Sequence, residues 1–109
     1  FHCELMAPTA EEMKIELENI KIKPPLVPIV SNVSAQAISD PTEIKKLLVN
    51  QITGSVRWRE SIMWMAKNNV DEIWEIGSGK ALSGMIRRID KNINLKNISS
   101  PEDIRTVNF

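Results

Sequence analysis

The stretch VDEIWEIGSGKALSGMIRRI, residues 70–89, points to the fold class because it runs from a strand pattern through a glycine turn into a helix pattern. Residues 72–76 alternate in part between polar and apolar side chains, as a short strand does. Gly77-Ser78-Gly79 interrupts that pattern. Four apolar residues then recur at the spacing of one helical face: Leu82, Met85, Ile86 and Ile89. The stretch therefore predicts a strand–turn–helix unit.

The rest of the chain repeats this alternation. The predicted elements are a helix over about residues 4–20, a strand over 26–32, a helix after the N-cap pattern of residues 40–43, a helix over about 56–69, a weaker strand within 92–99 and a short helix from 100. Pro28 cannot donate a hydrogen bond to a neighbouring strand, so its strand should lie at an edge or begin to pair late. The order of elements predicts an α/β protein.

Composition excludes several classes of function. The 109 residues carry 14 basic and 14 acidic side chains, so no net charge attracts the chain to nucleic acid or to an anionic membrane. No apolar run approaches the roughly 20 residues of a membrane span. A single cysteine excludes an internal disulfide, which is compatible with a reducing compartment. The chain opens on Phe1 and is patterned at once, and we interpret it as the C-terminal portion of a larger protein.

Gly77-Ser78-Gly79-Lys80 lies where a nucleotide-binding loop would lie, between a strand and a helix. A P-loop would require glycine at position 74 and Ser or Thr at 81, which are Trp74 and Ala81. A dinucleotide fingerprint would require glycine at 82, which is Leu82. We therefore interpret the segment as a tight turn and predict no bound nucleotide cofactor.

His2 is the only histidine of the chain, and Cys3 is its only cysteine, which is too few ligands for a structural zinc site. We therefore predict no metal. A histidine near a helix start is often structural, but it can act as a general base where another group orients its ring. Gln51 falls on the apolar stripe of its helix, near the C-terminal end, where main-chain carbonyls lack helical partners. Such a carbonyl could orient the ring; equally, Gln51 could be a polar residue at a frayed end.

Five segments, taken together, resemble the C-terminal third of the malonyl-CoA:acyl carrier protein transacylase family. They are FHCELMAP (residues 1–8), VPIVSNV (27–33), VNQI (49–52), VRW (56–58) and EIGSGKAL (75–82). They occur in the family's order and near its spacings. One departure is Ser78, where family members usually carry proline.

The resemblance implies a hydrolase-like α/β acyltransferase subdomain, with residues 1–109 as the C-terminal portion of a single acyltransferase domain. It implies transfer of a malonyl group from malonyl-CoA to the phosphopantetheine thiol of acyl carrier protein, through an acyl-serine intermediate. His2 matches the family's catalytic histidine, and Gln51 matches the glutamine whose carbonyl orients it. The nucleophilic serine has no match in the chain, which should be inactive alone. The resemblance further implies a cytoplasmic enzyme of fatty-acid synthesis that needs no cofactor beyond the coenzyme A thioester substrate.

Two other readings stay open. One is the acyltransferase domain of a polyketide synthase or of a multifunctional fatty-acid synthase, which would continue into another domain. The other is a non-catalytic α/β interaction module, which would lack a nucleophile elbow of the G-x-S-x-G type. Nucleic-acid binding is disfavoured because the chain has zero net charge and no basic face.

Overall fold

The computed structural model describes residues 1–107, which form two compact units. The first unit comprises Phe1–Ser61, and the second begins at Ile62. Helices and strands occur in both, so the predicted α/β class is confirmed. The elements of each unit are described below in chain order.

The first unit holds a helical pair and a small hairpin. A 3₁₀ turn over Glu4–Met6 leads into α1, Ala7–Asn19, so the first predicted helix is confirmed with a later α-helical start. The predicted strand over 26–32 is wrong in length, because only β1, Ile29–Val30, pairs with a neighbour. Pairing begins directly after Pro28, as the missing N–H of proline requires. The antiparallel partner is β2, Ala37–Ile38, which the sequence did not reveal.

The next helix of this unit is α2, Pro41–Thr53. The Asp40 carboxylate accepts a hydrogen bond from the Glu43 N–H at 3.0 Å, which confirms the predicted N-cap. Ile44, on the predicted apolar stripe, is buried, as is Ala35 in the loop between the two short strands. The cap fixes where α2 begins.

Helix α3 spans Trp58–Lys67, two residues shorter at each end than predicted. Its C-terminal end has a Schellman arrangement: the Val70 N–H donates to the Met65 oxygen at 3.0 Å, and the Asn69 N–H to the Ala66 oxygen at 3.2 Å. Asn69 takes the left-handed conformation that this motif requires, with φ 65°. That reversal ends the helix before the residues that the periodic pattern had included.

In the second unit, β3 spans Glu72–Ile76 and β4 spans Asn94–Ile98. The two strands are parallel and in register from Glu72 opposite Asn94 to Ile76 opposite Ile98. In the chain, α4, Ala81–Ile89, lies between the two strands, which confirms the predicted strand–turn–helix unit. The short final helix, α5, Pro101–Thr106, begins with a capping box made by Ser100 and Asp103.

Candidate active site

His2 lies just before the 3₁₀ turn, with an exposed side chain and a backbone φ of 61°. Few residues other than glycine adopt this left-handed conformation, although histidine does so more often than most. The ring nitrogen Nδ1 lies 2.6 Å from the main-chain oxygen of Gln51. The structure therefore brings together the two residues that the sequence singled out, across 49 positions of the chain.

The Gln51 carbonyl is available because α2 ends two residues later, at Thr53. The N–H of Gly54 bonds to the oxygen of Asn50 at 2.9 Å, and the chain then leaves the helix in an extended conformation. The last carbonyls of a helix have no N–H group in a following turn. The oxygen of Gln51 is one of these, and within residues 1–107 the His2 ring is its partner.

This contact fixes which ring nitrogen of His2 can act as a base. A carbonyl oxygen only accepts hydrogen bonds, so Nδ1 must carry the proton that is donated to Gln51. In the neutral ring, Nε2 then has a free lone pair. Among the described residues, no other side chain is hydrogen-bonded to the ring. The arrangement can take a proton at Nε2 from a group supplied from elsewhere.

Asn32 contacts the same glutamine and was not picked out as a site residue from the sequence. Its Nδ2 donates to the Gln51 side-chain oxygen at 3.4 Å. The main-chain oxygen of Asn32 accepts from the main-chain N–H of Arg57 at 2.8 Å. The Arg57 guanidinium donates to the main-chain oxygen of Ser34 at 3.2 Å. No local spacing marks such a partner, because Asn32 and Gln51 lie on separate elements 19 positions apart.

In the second unit, the turn after β3 is held by Glu75. Its carboxylate accepts from the Leu82 and Ser83 N–H groups at 3.0 and 2.8 Å, from the Ser83 hydroxyl at 2.5 Å and from Asn97 Nδ2 at 3.1 Å. The Ser83 hydroxyl is the main cause of the lowered pKa of Glu75, and the two main-chain N–H groups and Asn97 add to it. The N–H groups at the N-terminal end of α4 are thus bonded to the Glu75 side chain.

Gly77 and Gly79 have φ values of 141° and 84°, which confirms a tight strand-to-helix turn. A residue with a side chain would be strained at either position. Within residues 1–107, no group of three or more His, Cys, Asp or Glu side chains is placed to hold a metal ion. None of the helices formed by those residues has the length and apolar character to cross a bilayer.

Comparison with known proteins finds similar sequences and similar structures, although no family model matches the chain. The malonyl CoA-acyl carrier protein transacylase of Bacillus subtilis (strain 168) is 39% identical over 104 residues, which are 95% of this chain and 33% of the relative. The crystal structure of acyl-carrier-protein-S-malonyltransferase from Bartonella henselae is 46% identical, with a TM-score of 0.91 over 97% of this chain and 34% of that one.

A second similar structure contains a type II PKS acyl-carrier protein in complex with its malonyl-transacylase. It is 30% identical and covers 96% of this chain and 34% of that one, with a TM-score of 0.87. The chain thus spans about a third of the length of the proteins it matches. Over the stretch that it covers, the chain belongs to the malonyl CoA-acyl carrier protein transacylase family.

Proposed function

We propose that this chain is the histidine-bearing, C-terminal third of an enzyme that transfers malonyl groups from malonyl-CoA to acyl carrier protein in fatty-acid synthesis. The observation that carries the proposal is the 2.6 Å contact between His2 Nδ1 and the Gln51 oxygen. The contact joins the two positions that match the family's catalytic histidine and the glutamine that orients it.

In this proposal, His2 acts as a general base and then as a general acid at Nε2. A serine on the part of the enzyme outside this chain loses its proton to Nε2 and attacks the malonyl thioester carbonyl. The carbon–sulfur bond breaks, and the sulfur of coenzyme A takes the proton from Nε2. In the second half-reaction, Nε2 takes the proton of the phosphopantetheine thiol, and the sulfur attacks the carbonyl carbon of the serine ester. The ester carbon–oxygen bond breaks, and the serine oxygen takes the proton back from Nε2.

The Gln51 carbonyl has the role that aspartate has in a serine-protease triad. It fixes the ring orientation and favours the tautomer with the proton on Nδ1. A neutral carbonyl stabilises the imidazolium through its dipole, so no carboxylate is needed in this role. The reaction exchanges a thioester for a thioester through an ester, so it requires no redox cofactor and no metal.

The partners follow from the same chemistry. The donor is malonyl-CoA, and the acceptor is an acyl carrier protein, the class of partner present in the complex of the similar malonyl-transacylase. Both are soluble molecules of the cytoplasm, where we place the enzyme. Neither nucleic acid nor a membrane takes part in the reaction.

The test is the steady-state transfer of malonyl groups to phosphopantetheinylated acyl carrier protein by the full-length enzyme and by its His2→Ala variant. We expect the variant to lose at least about a hundredfold in turnover, the usual scale for a positioned acid–base group. Cys3→Ala is the matched control, because Cys3 is the exposed neighbour of His2. Near-native turnover in His2→Ala would remove His2 from the mechanism.

A further inference from the structure

The Asn32 side chain contacts Gln51, which in turn contacts His2, and the role inferred for Asn32 rests on the function proposed above. Its amide donates to the Gln51 side-chain oxygen at 3.4 Å, while the main-chain oxygen of the same Gln51 receives the His2 ring. Gln51 is therefore held by a donor at each of its two oxygens. One of these donors is the group that reacts, and the other belongs to a separate loop.

The end of α2 needs such a restraint. Gln51 lies in the last turn, where main-chain carbonyls lack the hydrogen bonds that immobilise the middle of a helix. Helix ends fray, and a swing of this carbonyl would turn the ring that it holds. A bond to the side chain of the same residue limits that swing without competing for the carbonyl itself.

The loop that carries Asn32 is itself held by hydrogen bonds and by a buried residue. Its main chain is fixed at both sides, because the Ser31 N–H bonds to the Gln36 oxygen at 3.2 Å and the Ala35 N–H to the Ser31 oxygen at 2.8 Å. Ala35 is only 1% exposed. Arg57 adds the 2.8 Å bond to the Asn32 oxygen described above.

We propose that Asn32 is a positioning residue for malonyl transfer, which orients the His2 imidazole by holding the Gln51 side chain. Asn32 does not touch the ring, and its effect passes through one residue. The step it serves is proton removal at Nε2, so its loss should slow acylation and leave the binding of malonyl-CoA unchanged. A residue that only stabilises the fold would not separate these two quantities.

The experiment uses the full-length enzyme with Asn32→Ala, Asn32→Asp and the control Gln36→Ala, which removes an exposed amide from the same loop. We expect Asn32→Ala to lower kcat for malonyl transfer by about five- to tenfold, the effect of losing one neutral hydrogen bond, at unchanged KM for malonyl-CoA. Asn32→Asp keeps the size but replaces the amide donor with an acceptor, which can bond to Gln51 only if the Gln51 amide turns its Nε2 towards it, so kcat should fall in this variant too. Gln36→Ala should behave as the parent enzyme.

A double-mutant cycle identifies the path of the effect. If Asn32 acts through the Gln51 side chain, Gln51→Ala should lower kcat similarly, and adding Asn32→Ala to it should cause no further loss. Losses that multiply in the double variant would overturn the proposal, as would a rise in KM without a change in kcat. Thermal midpoints of all variants show which are folded, and Asn32→Asp provides the comparison if Asn32→Ala is not.

This outcome is separable from that of the proposed function. A native kcat in Asn32→Ala together with an inactive His2→Ala would reject the role of Asn32 alone. An active His2→Ala would reject the proposed function itself.

Discussion

The Nδ1 atom of His2 and the main-chain oxygen of Gln51 lie 2.6 Å apart, although 49 positions of the chain separate the two residues. The contact depends on two features of the backbone: the left-handed conformation of His2 and the end of α2 just beyond Gln51. A change in either should therefore alter the orientation of the ring. Gly54, directly after α2, allows the second feature to be tested.

Gly54→Ala should destabilise the protein and displace the end of α2. A Cβ atom at position 54 would lie 2.8 Å from the main-chain oxygen of Asn50, closer than real Cβ contacts come, so the backbone must shift. We expect a loss of about 1–3 kcal/mol in the free energy of unfolding, as for other overpacked sites, together with reduced malonyl transfer. Chemical denaturation and transfer assays of the full-length enzyme measure both.

The control is Gly84→Ala, which places the same methyl group inside α4 with no heavy atom within 4 Å. Alanine favours a helix interior over glycine by about 0.5–1 kcal/mol, so this variant should be more stable than the parent protein. Equal losses of stability in both variants would show that contact with Asn50 is not the cause at Gly54.

Asn69→Ala should destabilise the C-terminal end of α3. The exposed Asn69 holds φ at 65°, a conformation that costs an alanine about 1 kcal/mol because its Cβ approaches the backbone. Asn69→Gly should be as stable as the parent or more so, since glycine adopts this conformation freely. Denaturation midpoints of the two variants should differ in that order; the reverse order would contradict the assigned motif.

Glu75 should make the second unit sensitive to acid. Its folded-state pKa lies below the ordinary value of 4.5, chiefly because of the Ser83 hydroxyl, so the carboxylate stabilises the folded chain at pH above 4.5. That contribution is lost as the pH falls through the folded-state pKa. Hydrogen exchange at the Leu82 and Ser83 amides should be faster in Glu75→Gln at neutral pH, and thermal midpoints measured towards acid pH should fall less steeply than in the parent.

Glu12→Gln is the matched control for this pH series, since Glu12 is exposed on α1. It should keep both the amide protection at positions 82 and 83 and the acid sensitivity of the parent. Unchanged exchange in Glu75→Gln would mean that the carboxylate does not hold the turn in solution.

The 109-residue chain alone should form no malonyl-enzyme, because the serine that the family uses has no match in it. Intact-mass measurement after incubation with malonyl-CoA checks this directly. The exposed Cys3 thiol could be acylated without enzymatic help, so the same measurement is made on Cys3→Ala. A malonyl adduct that still forms rapidly in Cys3→Ala would contradict the proposal that the nucleophilic serine lies outside this chain.

The features that could be predicted from sequence are those fixed by neighbouring residues. The Asp40 cap, the late pairing after Pro28 and the turn at Gly77–Gly79 each follow from the chemistry of one or two side chains. The position of Gln51 near a helix end followed from the apolar stripe of α2 and from the break in that pattern at Thr53-Gly54-Ser55. These local rules place the Gln51 carbonyl at a helix end without any tertiary information.

The features that could not be predicted depend on distant partners. The two residues of β2 form a strand only because β1 lies opposite, and so short a segment has no period of its own. The left-handed backbone of His2 and the contact of Asn32 with Gln51 leave no local pattern in the sequence. Catalytic roles for His2 and Gln51 stay predictions until activity is measured.

The most direct measurement is the pre-steady-state rate of malonyl-serine formation in the full-length enzyme and in its His2→Ala variant at saturating malonyl-CoA. Proton removal at Nε2 belongs to this half-reaction, so acyl carrier protein can be left out. We expect acylation in the variant to be slower by at least about a hundredfold, with unchanged affinity for malonyl-CoA. Acylation of His2→Ala at the rate of the parent enzyme would contradict the account.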